Sequence, residues 1–252
     1  MCSHGTGLLQ RIIPGRKFPF PKSLYAVEDT LRFFIHNKLD ALIVDFFGGS
    51  GTTTHAVARL NRQDGGRRRS ILITNNEVSA DEAEALRNDG FFYGDPEWDA
   101  LGIFEQITRP RVTSAITGLT PDRGPIEGEY KFNDEGPMSD GFEENVEFFN
   151  IDFLDPDDVA RGDAFKAILP ILWMSAGCRG EREDSKGSTP WFIPKHSPFA
   201  VLIQEKQFRT FRAKLKERDD IESVFLISDS EENFGQMRRT LGRKYECVQL
   251  YK

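Results

Sequence analysis

Two carboxylic acids and a glycine turn are the residues of this chain best suited to chemistry. Asp45 follows the apolar run Ala41–Val44, and the segment Phe47–Gly51 has the pattern F-x-G-x-G. Glu77 follows a second apolar run, over 70–74. A glycine turn between a strand and a helix lets the backbone approach a ligand closely and directs free N–H groups toward it. We therefore expect a binding site for a small polar ligand at this turn.

The spacing of the turn distinguishes three classes of ligand. A triphosphate loop requires G-x-x-x-x-G-K-[ST], and this turn has no lysine. A dinucleotide fingerprint requires G-x-G-x-x-G, in which Gly49 and Gly51 fit but Thr54 takes the place of the third glycine. S-adenosylmethionine needs a carboxylate near its ammonium group, a tight glycine turn and an acid for its ribose, and Asp45 and Glu77 supply both acids. A turn with only a structural role is the alternative at this point.

The sequence around the turn predicts the elements that position it. The run Ala41–Val44, which includes β-branched residues, predicts a buried strand. The hydroxyls of Thr52, Thr53 and Thr54 are candidates to cap the helix that follows. The other elements predicted up to residue 88 are a helix over 24–37, a strand over 70–74 and a helix over 80–88.

Length and composition exclude several classes of protein. The 252 residues allow one large or two small domains, and 38% apolar with 29% charged residues suits a soluble globular protein. No run reaches the roughly 18 apolar residues of a membrane helix, and the N-terminus lacks a signal-peptide pattern. Cys2, Cys178 and Cys247 fit no metal spacing and indicate a reducing, cytoplasmic compartment. The net charge of −7 argues against a chain that grips DNA unaided.

Three segments of the chain combine into one pattern. They are Phe18-Pro19-Phe20-Pro21-Lys22, Asp45-Phe46-Phe47-Gly48-Gly49-Ser50-Gly51-Thr52-Thr53 and Asn75-Asn76-Glu77. Together they resemble the adenine-specific DNA methyltransferases of the β class, and most of all the modification subunits of type III restriction systems. The resemblance implies a Rossmann-like α/β sheet of the S-adenosylmethionine-dependent methyltransferases, present here in part, followed by a further α/β region.

The resemblance also implies which residues bind S-adenosyl-L-methionine, with the segment 18–22 closing one wall of the methionine pocket. The candidate cofactor-binding residues are Phe18, Phe20, Pro21, Lys22, Asp45, Phe47, Gly49, Ser50, Gly51, Thr52, Thr53 and Glu77. In that class the catalytic motif and the target-recognition region come before the cofactor motifs, and only the last part of that order is present here. The catalytic motif is an acid or amide followed by Pro-Pro and an aromatic residue. Neither Asp95-Pro96-Glu97-Trp98 nor Asp155-Pro156-Asp157-Asp158 fits it, so no catalytic residue and no metal ligand is assigned.

The second half of the chain has its own α/β pattern. A stretch rich in turn formers and acids, 124–141, predicts a linker or exposed loop between a cofactor-binding part, 1–123, and a C-terminal α/β region, 142–252. The predicted strands there are 146–153, 199–203, 224–228 and 247–250, and the predicted helices are 157–173 with a break or kink at Pro170, 205–217 and 232–241. Strands that alternate with helices imply a mostly parallel sheet.

Some stretches carry little regular pattern. Residues 1–15 and 89–130 are predicted to be irregular, because glycine and proline interrupt them. Within the second stretch, Arg109-Pro110-Arg111 is a candidate contact to DNA or to another subunit. Ordinary surface arginine is the alternative interpretation.

These observations predict the cofactor-binding C-terminal part of an adenine-specific DNA methyltransferase of a restriction-modification system. The expected partners are DNA, through the intact enzyme, and an N-terminal catalytic half or another subunit, with no membrane. The chain would be a fragment, a split-gene half or a decayed copy, and inactive by itself. The strand at 42–44 is expected to have an unpaired edge that associates, needs a partner, or is covered by strands of the chain after residue 141. Two alternatives stay open: a non-catalytic half-module that binds S-adenosylmethionine or a partner, and, with less support, a nicotinamide-dependent oxidoreductase.

Overall fold

Two compact units make up the chain in this computed structural model, which describes residues 2–151, 153, 155, 165–185 and 189–251. The units are Met1–Phe148 and Phe149–Lys252, and each has its own buried core. Each unit combines helices with a small sheet, which confirms the α/β class predicted from the sequence. The division into domains at residues 123 and 141 stays a prediction.

Helices dominate the first unit, and two short strands lie among them. In chain order the elements are α1 (Cys2–Ile12), α2 (Leu24–Ile35), β1 (Leu42–Asp45), α3 (Thr52–Asp64), β2 (Arg69–Leu72), α4 (Ala80–Asn88), α5 (Pro96–Ala100), a π-helical turn (Phe104–Thr108), α6 (Arg109–Thr117) and a 3-10 turn (Met138–Asp140). The strands and helices predicted between residues 24 and 88 are confirmed, with small shifts at their ends.

Two parts of the first unit that the sequence predicts to be irregular are helical. Residues 1–15 contain α1, although its glycines disfavour a helix. A side chain at Gly5 would collide with the carbonyl oxygen of Pro21, so glycine permits close packing of α1 on the segment before α2. Within 89–130, residues 96–100 and 104–117 are helical. Both predictions were wrong because packing outweighed local propensity.

The sheet of the first unit is covered on one face only. β1 and β2 run parallel, and Val44 lies opposite Ile71. On one face the Ser70 hydroxyl donates to Thr54 of α3 at 3.0 Å. On the other face Val44 and Ile71 are 45% and 46% exposed. Among the described residues β1 pairs with β2 and with no other strand. Parallel sheets are normally buried on both faces, so this apolar face has the character of an interface.

A buried ion pair joins α2 to α3. Arg59 Nε donates to Glu28 Oε2 at 2.6 Å, and both side chains are buried. Arg32 and Gln63 donate to the other oxygen of Glu28 at 2.6 and 2.8 Å. Arg59 also donates to the carbonyl of Lys131 at 3.1 Å. Because water does not reach the pair, loss of either partner would leave an unpaired charge in the interior.

The segment 124–141, predicted as a linker or exposed loop, packs within the first unit. Ile126, Tyr130 and Met138 are buried in the same cluster as residues of α1 and α3. The Tyr130 hydroxyl lies 2.8 Å from His55 Nε2. This segment therefore supports α3, the helix that follows the glycine turn.

The second unit is organised around a sheet with strand order β3-β4-β5-β6, in which β3 is antiparallel and the others are parallel. Its elements are α7 (Phe165–Ser175), β3 (Trp191–Phe192), β4 (Phe199–Leu202), a 3-10 turn (Glu205–Gln207), α8 (Phe208–Leu215), β5 (Ser223–Ile227), α9 (Glu231–Leu241) and β6 (Glu246–Leu250). All residues of β4 and β5 are buried, as expected for parallel strands covered on both faces.

Most of the elements predicted for the second unit are confirmed. The strands at 199–203, 224–228 and 247–250 and the helices at 205–217 and 232–241 are present with small shifts, and the first of these helices begins as a 3-10 turn.

Two other predictions for this unit have different outcomes. The strand over 146–153 is wrong: its described residues form no strand, and Phe149 packs against the second core instead. Of the helix predicted over 157–173, residues 157–164 lie outside the described residues, as does the Pro156-Asp157-Asp158 part of the rejected motif. The remainder lies in α7, which contains Pro170 and continues past it.

Candidate functional site

The turn after β1 is closed by hydrogen bonds to its own acid. Asp45 Oδ1 accepts from the backbone N–H of Phe47 at 3.0 Å, and Oδ2 accepts from the hydroxyl of Thr53 at 2.6 Å. The N–H of Gly51 donates to the carbonyl of Gly48 at 2.8 Å. The Asp45 carboxylate therefore links the end of the strand to the first turn of α3.

Two glycines in the turn have backbone conformations that other residues rarely adopt. Gly49 has φ +48° and Gly51 has φ +77°. A Cβ at Gly51 would lie 2.7 Å from Val112 Cγ2, so the turn passes close to α6. A Cβ at Gly49 would meet only Phe18 Cζ at 3.4 Å and the carbonyl oxygen of Phe47 at 3.7 Å. Gly51 is needed for packing within the protein, whereas Gly49 borders open space.

The start of α3 has no side-chain cap. Gly51 is the N-cap residue, and among the described residues no side chain accepts from the first amides. The prediction that threonines cap this helix is wrong, because their hydroxyls are used elsewhere. Thr53 donates to Asp45, Thr52 accepts from Arg111, and Thr54 accepts from Ser70. The uncapped N–H groups and the positive end of the helix dipole favour a ligand that accepts hydrogen bonds.

A buried arginine from α6 fixes the turn from within the protein. Arg111 Nη1 donates to the hydroxyl of Ser50 at 2.7 Å, to the hydroxyl of Thr52 at 2.6 Å and to the carbonyl of Ser50 at 3.3 Å. Thr108 adds a bond from its hydroxyl to the carbonyl of Gly49 at 2.5 Å. Burial lowers the pKa of Arg111 to about 10, so the guanidinium is still charged at neutral pH. No ion pair to it is found among the described residues.

The burial of Arg111 corrects the interpretation of Arg109-Pro110-Arg111 as a surface contact. Arg111 is 1% exposed and cannot reach DNA or another subunit. Arg109 is at the surface, where it pairs with Glu105 at 3.0 Å and lies 4.9 Å from the centre of the Phe104 ring. No local pattern marks Arg111 as part of the site, because its partners are 59 and 61 residues away.

The segment 18–22 lies against the turn through its first residue. Phe18 is the side chain nearest to the open side of Gly49. Pro21 is buried, while Phe20 is 82% exposed and has φ +55°, a conformation that residues other than glycine rarely adopt. Lys22 is exposed. The segment thus presents an aromatic residue to the solvent directly beyond the one that contacts the turn.

Glu77 lies beyond the end of β2. Ile73 donates to the carbonyl of Asp45 at 2.8 Å, so the chain after β2 leaves the sheet at the same edge as the glycine turn. The Glu77 carboxylate is exposed, and it accepts a hydrogen bond from Asn75 at 3.3 Å. Its neighbour Asn76 is used by the protein, since its amide donates to the carbonyl of Asp99 at 2.8 Å. Glu77 therefore has most of its hydrogen-bonding capacity available.

The structure brings most of the candidate residues together. Phe18 lies beside the turn over 45–53, whereas the Glu77 carboxylate bonds to its neighbour Asn75 rather than to either of them.

The rejected catalytic motif has a structural role: the Asp95 carboxylate accepts from the N–H of Phe92 at 2.7 Å, and Trp98 is buried.

Membrane-spanning and metal-binding features are both absent from the described part of the chain. It contains no helix that is both long and apolar enough to cross a bilayer. Within the same described ranges, no cluster of His, Cys, Asp or Glu is suited to a metal ion.

Comparison with known proteins confirms the resemblance seen in the sequence. The chain is 44% identical over 71 residues to the type II methyltransferase M.KpnI of Klebsiella pneumoniae, which is 28% of this chain and 16% of that protein. It is 41% identical over 76 residues to the EcoPI Mod subunit of a type III restriction-modification enzyme from Escherichia phage P1, which is 30% of this chain and 12% of that protein. The StyLTI Mod subunit of Salmonella typhimurium is 32% identical over 96 residues, 38% of this chain and 13% of that protein.

The extent of the similarity is limited. The match spans 16% or less of the length of these relatives. No protein-family model matches the chain. The chain is therefore similar to a part of type II and type III modification enzymes.

Proposed function

We propose that this chain is the S-adenosylmethionine-binding part of a site-specific DNA methyltransferase that acts on the N6 of adenine. The glycine turn after β1 carries the proposal. It is held by hydrogen bonds to Asp45 and Arg111, and it occurs in a chain similar to type II and type III modification enzymes. A triphosphate suits the turn poorly, because no lysine is present to neutralise it.

The open part of the turn fits S-adenosylmethionine. In the described part of the chain, Phe18 is the one side chain that a Cβ added at Gly49 would meet, so a ligand can approach the backbone there. The first amides of α3 lack a side-chain acceptor. The ring of Phe47 is 93% exposed and offers an apolar surface. Donors, apolar surface and free space are what a ligand with an amino-acid end and an adenine ring requires.

Each candidate residue has a role in this proposal. The Asp45 carboxylate accepts from two protein groups and has lone pairs left for the ammonium group. The exposed Glu77 carboxylate accepts from the ribose hydroxyls. The remaining residues form the wall of the methionine pocket or shape the turn: Phe18, Phe20, Pro21 and Lys22 form the wall, and Phe47, Gly49, Ser50, Gly51, Thr52 and Thr53 shape the turn.

The chain's own residues would bind and orient the cofactor and would not complete the reaction. When bound, S-adenosylmethionine supplies a methyl group made electrophilic by its sulfonium. The acceptor amine of adenine must be held in line with that methyl, and the described chain carries no Pro-Pro-aromatic motif to hold it. We therefore propose that transfer requires residues from another part of the enzyme.

The second part of the proposal is a partner polypeptide that supplies the catalytic half of the enzyme. Val44, Ile71 and Leu42, which is 51% exposed, form an apolar surface on the uncovered face of the β1–β2 sheet. Such a surface favours association with a polypeptide that completes the sheet and its second layer. This observation also favours the alternative of a non-catalytic half-module that binds the cofactor or a partner. An active complex with an N-terminal catalytic half would distinguish the two.

Isothermal titration calorimetry tests the cofactor assignment. We expect S-adenosylmethionine and its demethylated product to bind and NAD to give no heat. Glu77→Ala should weaken binding by about 1–3 kcal/mol, the range for hydrogen bonds to a charged group. The matched control is Glu84→Ala, which removes an exposed glutamate of α4 and should change nothing. Binding of NAD, or equal curves for wild type and Glu77→Ala, would contradict the assignment.

Transfer of tritium from labelled cofactor to mixed-sequence DNA tests the need for another part of the enzyme. The purified chain should give no incorporation above a sample without protein. Robust incorporation by this chain alone would refute the proposed division of labour.

A further inference from the structure

The second unit has a basic surface that the proposed cofactor site does not use. A groove of about 890 Å³ runs beside α9, and Arg238, Arg239 and Arg243 line it together with Phe234 and Tyr245. A smaller concavity of about 220 Å³ adjoins it, since Tyr245 lines both. We call the two together the basic groove. Arg212, Lys216 and Lys244 line the smaller part.

Local structure explains why these cations are exposed. Met237 and Leu241 are the buried residues of α9 and pack against the sheet, so Arg238 and Arg239 lie outside the packed face. The helix ends at Gly242, where φ is +80°, and the chain then places Arg243 before β6. The end of α8 brings Arg212 to the same region. The helix dipole favours cations at the C-terminal end of each helix. It does not explain why cations of two helices and of the segment before β6 lie on one surface.

The charge of the basic groove is mostly unneutralised. Lys244 lies 3.3 Å from Asp219, and Glu231 also lines the larger part. Among the described residues no ion pair involves Arg238, Arg239 or Arg243. At the surface of the same unit Arg218 is paired with Asp220 at 2.5 Å. Arg209, Lys195 and Lys206, outside the groove, have no ion pair among the described residues either. What distinguishes the groove is that several unpaired cations share one concave surface.

We propose that the basic groove binds the phosphate backbone of double-stranded DNA. Guanidinium groups donate paired hydrogen bonds to phosphate oxygens, and several on one concave surface can contact successive phosphates. The choice of DNA as the polyanion rests on the proposed function, since the groove itself identifies only the phosphate chemistry. Contacts to phosphates carry no sequence information, so we expect the contact to be independent of sequence.

The overall charge of the chain limits the affinity for DNA that we expect. With a net charge of −7, long-range attraction to DNA is weak, and binding depends on the local groove. We expect a dissociation constant on the order of micromolar at low salt, with a steep loss of affinity as salt rises. The expected contact is weak, which agrees with the argument from net charge that the chain does not bind DNA tightly by itself.

Fluorescence anisotropy tests the proposal. The full chain, without cofactor, is titrated into a labelled duplex of about 25 base pairs at salt concentrations from roughly 25 to 200 mM KCl. The variant Arg239→Glu/Arg243→Glu should lose at least about tenfold in affinity, and the slope of log affinity against log salt should become shallower by about two. The matched control is Lys195→Glu/Lys206→Glu, which changes the net charge equally at exposed lysines outside the groove. It should stay within about twofold of wild type, because only local contacts release counterions.

Two outcomes of the anisotropy measurement would overturn the proposal: no salt-dependent binding by the wild-type chain, or equal losses in both double variants. Circular dichroism of each variant checks that the fold is intact. A competition arm with inorganic phosphate should displace the duplex only at millimolar concentrations, and displacement at micromolar phosphate would indicate a small-anion site instead. Cofactor titration separates this test from the proposed function: Arg239→Glu/Arg243→Glu should bind S-adenosylmethionine as wild type does, and a chain that binds DNA but no cofactor would refute only the proposed function.

Discussion

The chain contains two connections in which a strand of a parallel sheet leads through a turn into a helix. The two differ in whether the first amides of the helix are capped. In the first unit β1 leads through a glycine turn into α3, whose first amides have no side-chain acceptor. In the second unit β5 leads through Ser228-Asp229-Ser230 into α9, and the Ser230 hydroxyl accepts from the N–H of Asn233 at 3.2 Å. Glu231 and Glu232 add negative charge to that first turn. One helix start is left open, and the other is capped and neutralised.

The difference shows which groups each turn satisfies and which it leaves free for a ligand. A capped and acidic helix start satisfies its own donors and repels an anionic or hydrogen-bond-accepting ligand. An open start needs support from elsewhere, and here Arg111 and Thr108 hold the turn through its carbonyls and hydroxyls and leave the helix amides free. The fold topology is the same in both places, so the chemistry depends on which groups the turn leaves unsatisfied.

The largest expected effect breaks the open turn directly. Gly49→Val should abolish binding of S-adenosylmethionine, at least about a hundredfold, because a branched side chain at φ +48° strains the backbone and fills the open space. Calorimetry is the measurement. The control is Gly235→Ala in α9, where a Cβ meets only an arginine side chain at 3.4 Å and binding should not change. Tight binding by Gly49→Val would show that the ligand lies elsewhere.

The next largest effect on cofactor affinity is expected from Arg111, which supports the turn from α6. Arg111→Lys keeps a positive charge, but the lysine ammonium ends one bond short of the position of Nη1, the atom that donates to both Ser50 and Thr52. Cofactor binding should weaken about tenfold, which corresponds to about 1.4 kcal/mol. Arg109→Lys, at the exposed neighbour, should bind normally. If both variants bind equally well, Arg111 serves only the core.

Mildly acid pH should lower the stability of the fold through a residue of α3, and α9 should make no such contribution. His55 is buried, and burial followed by the nearby Arg111, Arg59 and Arg62 lowers its pKa well below the ordinary value. The folded state then stays unprotonated while the unfolded state gains a proton below its pKa of about 6.5, so stability is lost as pH falls through that value. One pH unit below it the loss should be about 1.4 kcal/mol.

Urea unfolding at neutral and mildly acid pH, compared between wild type and His55→Gln, measures this contribution. Glutamine can still bond Tyr130 but does not titrate. Titration of other groups cancels in the comparison. The buried residues of α9, Met237 and Leu241, are apolar and supply no equivalent. A pH dependence that is identical in both proteins would exclude His55 as the source.

The smallest effect concerns the capped helix. Ser230→Ala removes the cap of α9 and should lower the free energy of unfolding by about 1 kcal/mol. Cofactor affinity should stay unchanged, since this turn binds no ligand in our interpretation. Ser230→Asn should recover most of the stability, because asparagine also caps. Denaturant unfolding and calorimetry on the same samples provide both readouts.

Sequence reasoning found the parts of the site that are local and missed those that are distant. The strand, the glycines and Asp45 lie within one short stretch, so their pattern was sufficient to predict the strand, the turn and the helix that the structure shows. Binding of a ligand at this turn stays a prediction. Arg111 looked like a surface residue because arginine is mostly exposed in proteins, and only the fold shows what it contacts. Similarly, the threonines looked like caps, but competing partners such as Asp45 used their hydroxyls.

The same limit explains the errors in the fold. Alternating apolar residues over 146–153 predict a strand, yet Phe149 packs against a core without pairing to a neighbour. Glycine in α1 predicts a break, although Gly5 is needed where the helix meets Pro21. A local pattern shows that a side chain is buried, whereas tertiary contacts decide what covers it.

The bond from Arg111 to Ser50 also determines the order in which the site can form. The two residues are 61 positions apart, so the turn receives its support only after α6 has docked. Such long-range contacts close late, because the chain must first give up the entropy of the intervening loop. A folding intermediate that contains β1, α3 and β2 would have the turn sequence but not its fixed shape. Affinity for the cofactor should therefore appear last during refolding, and a bound ligand would report that the first unit is complete.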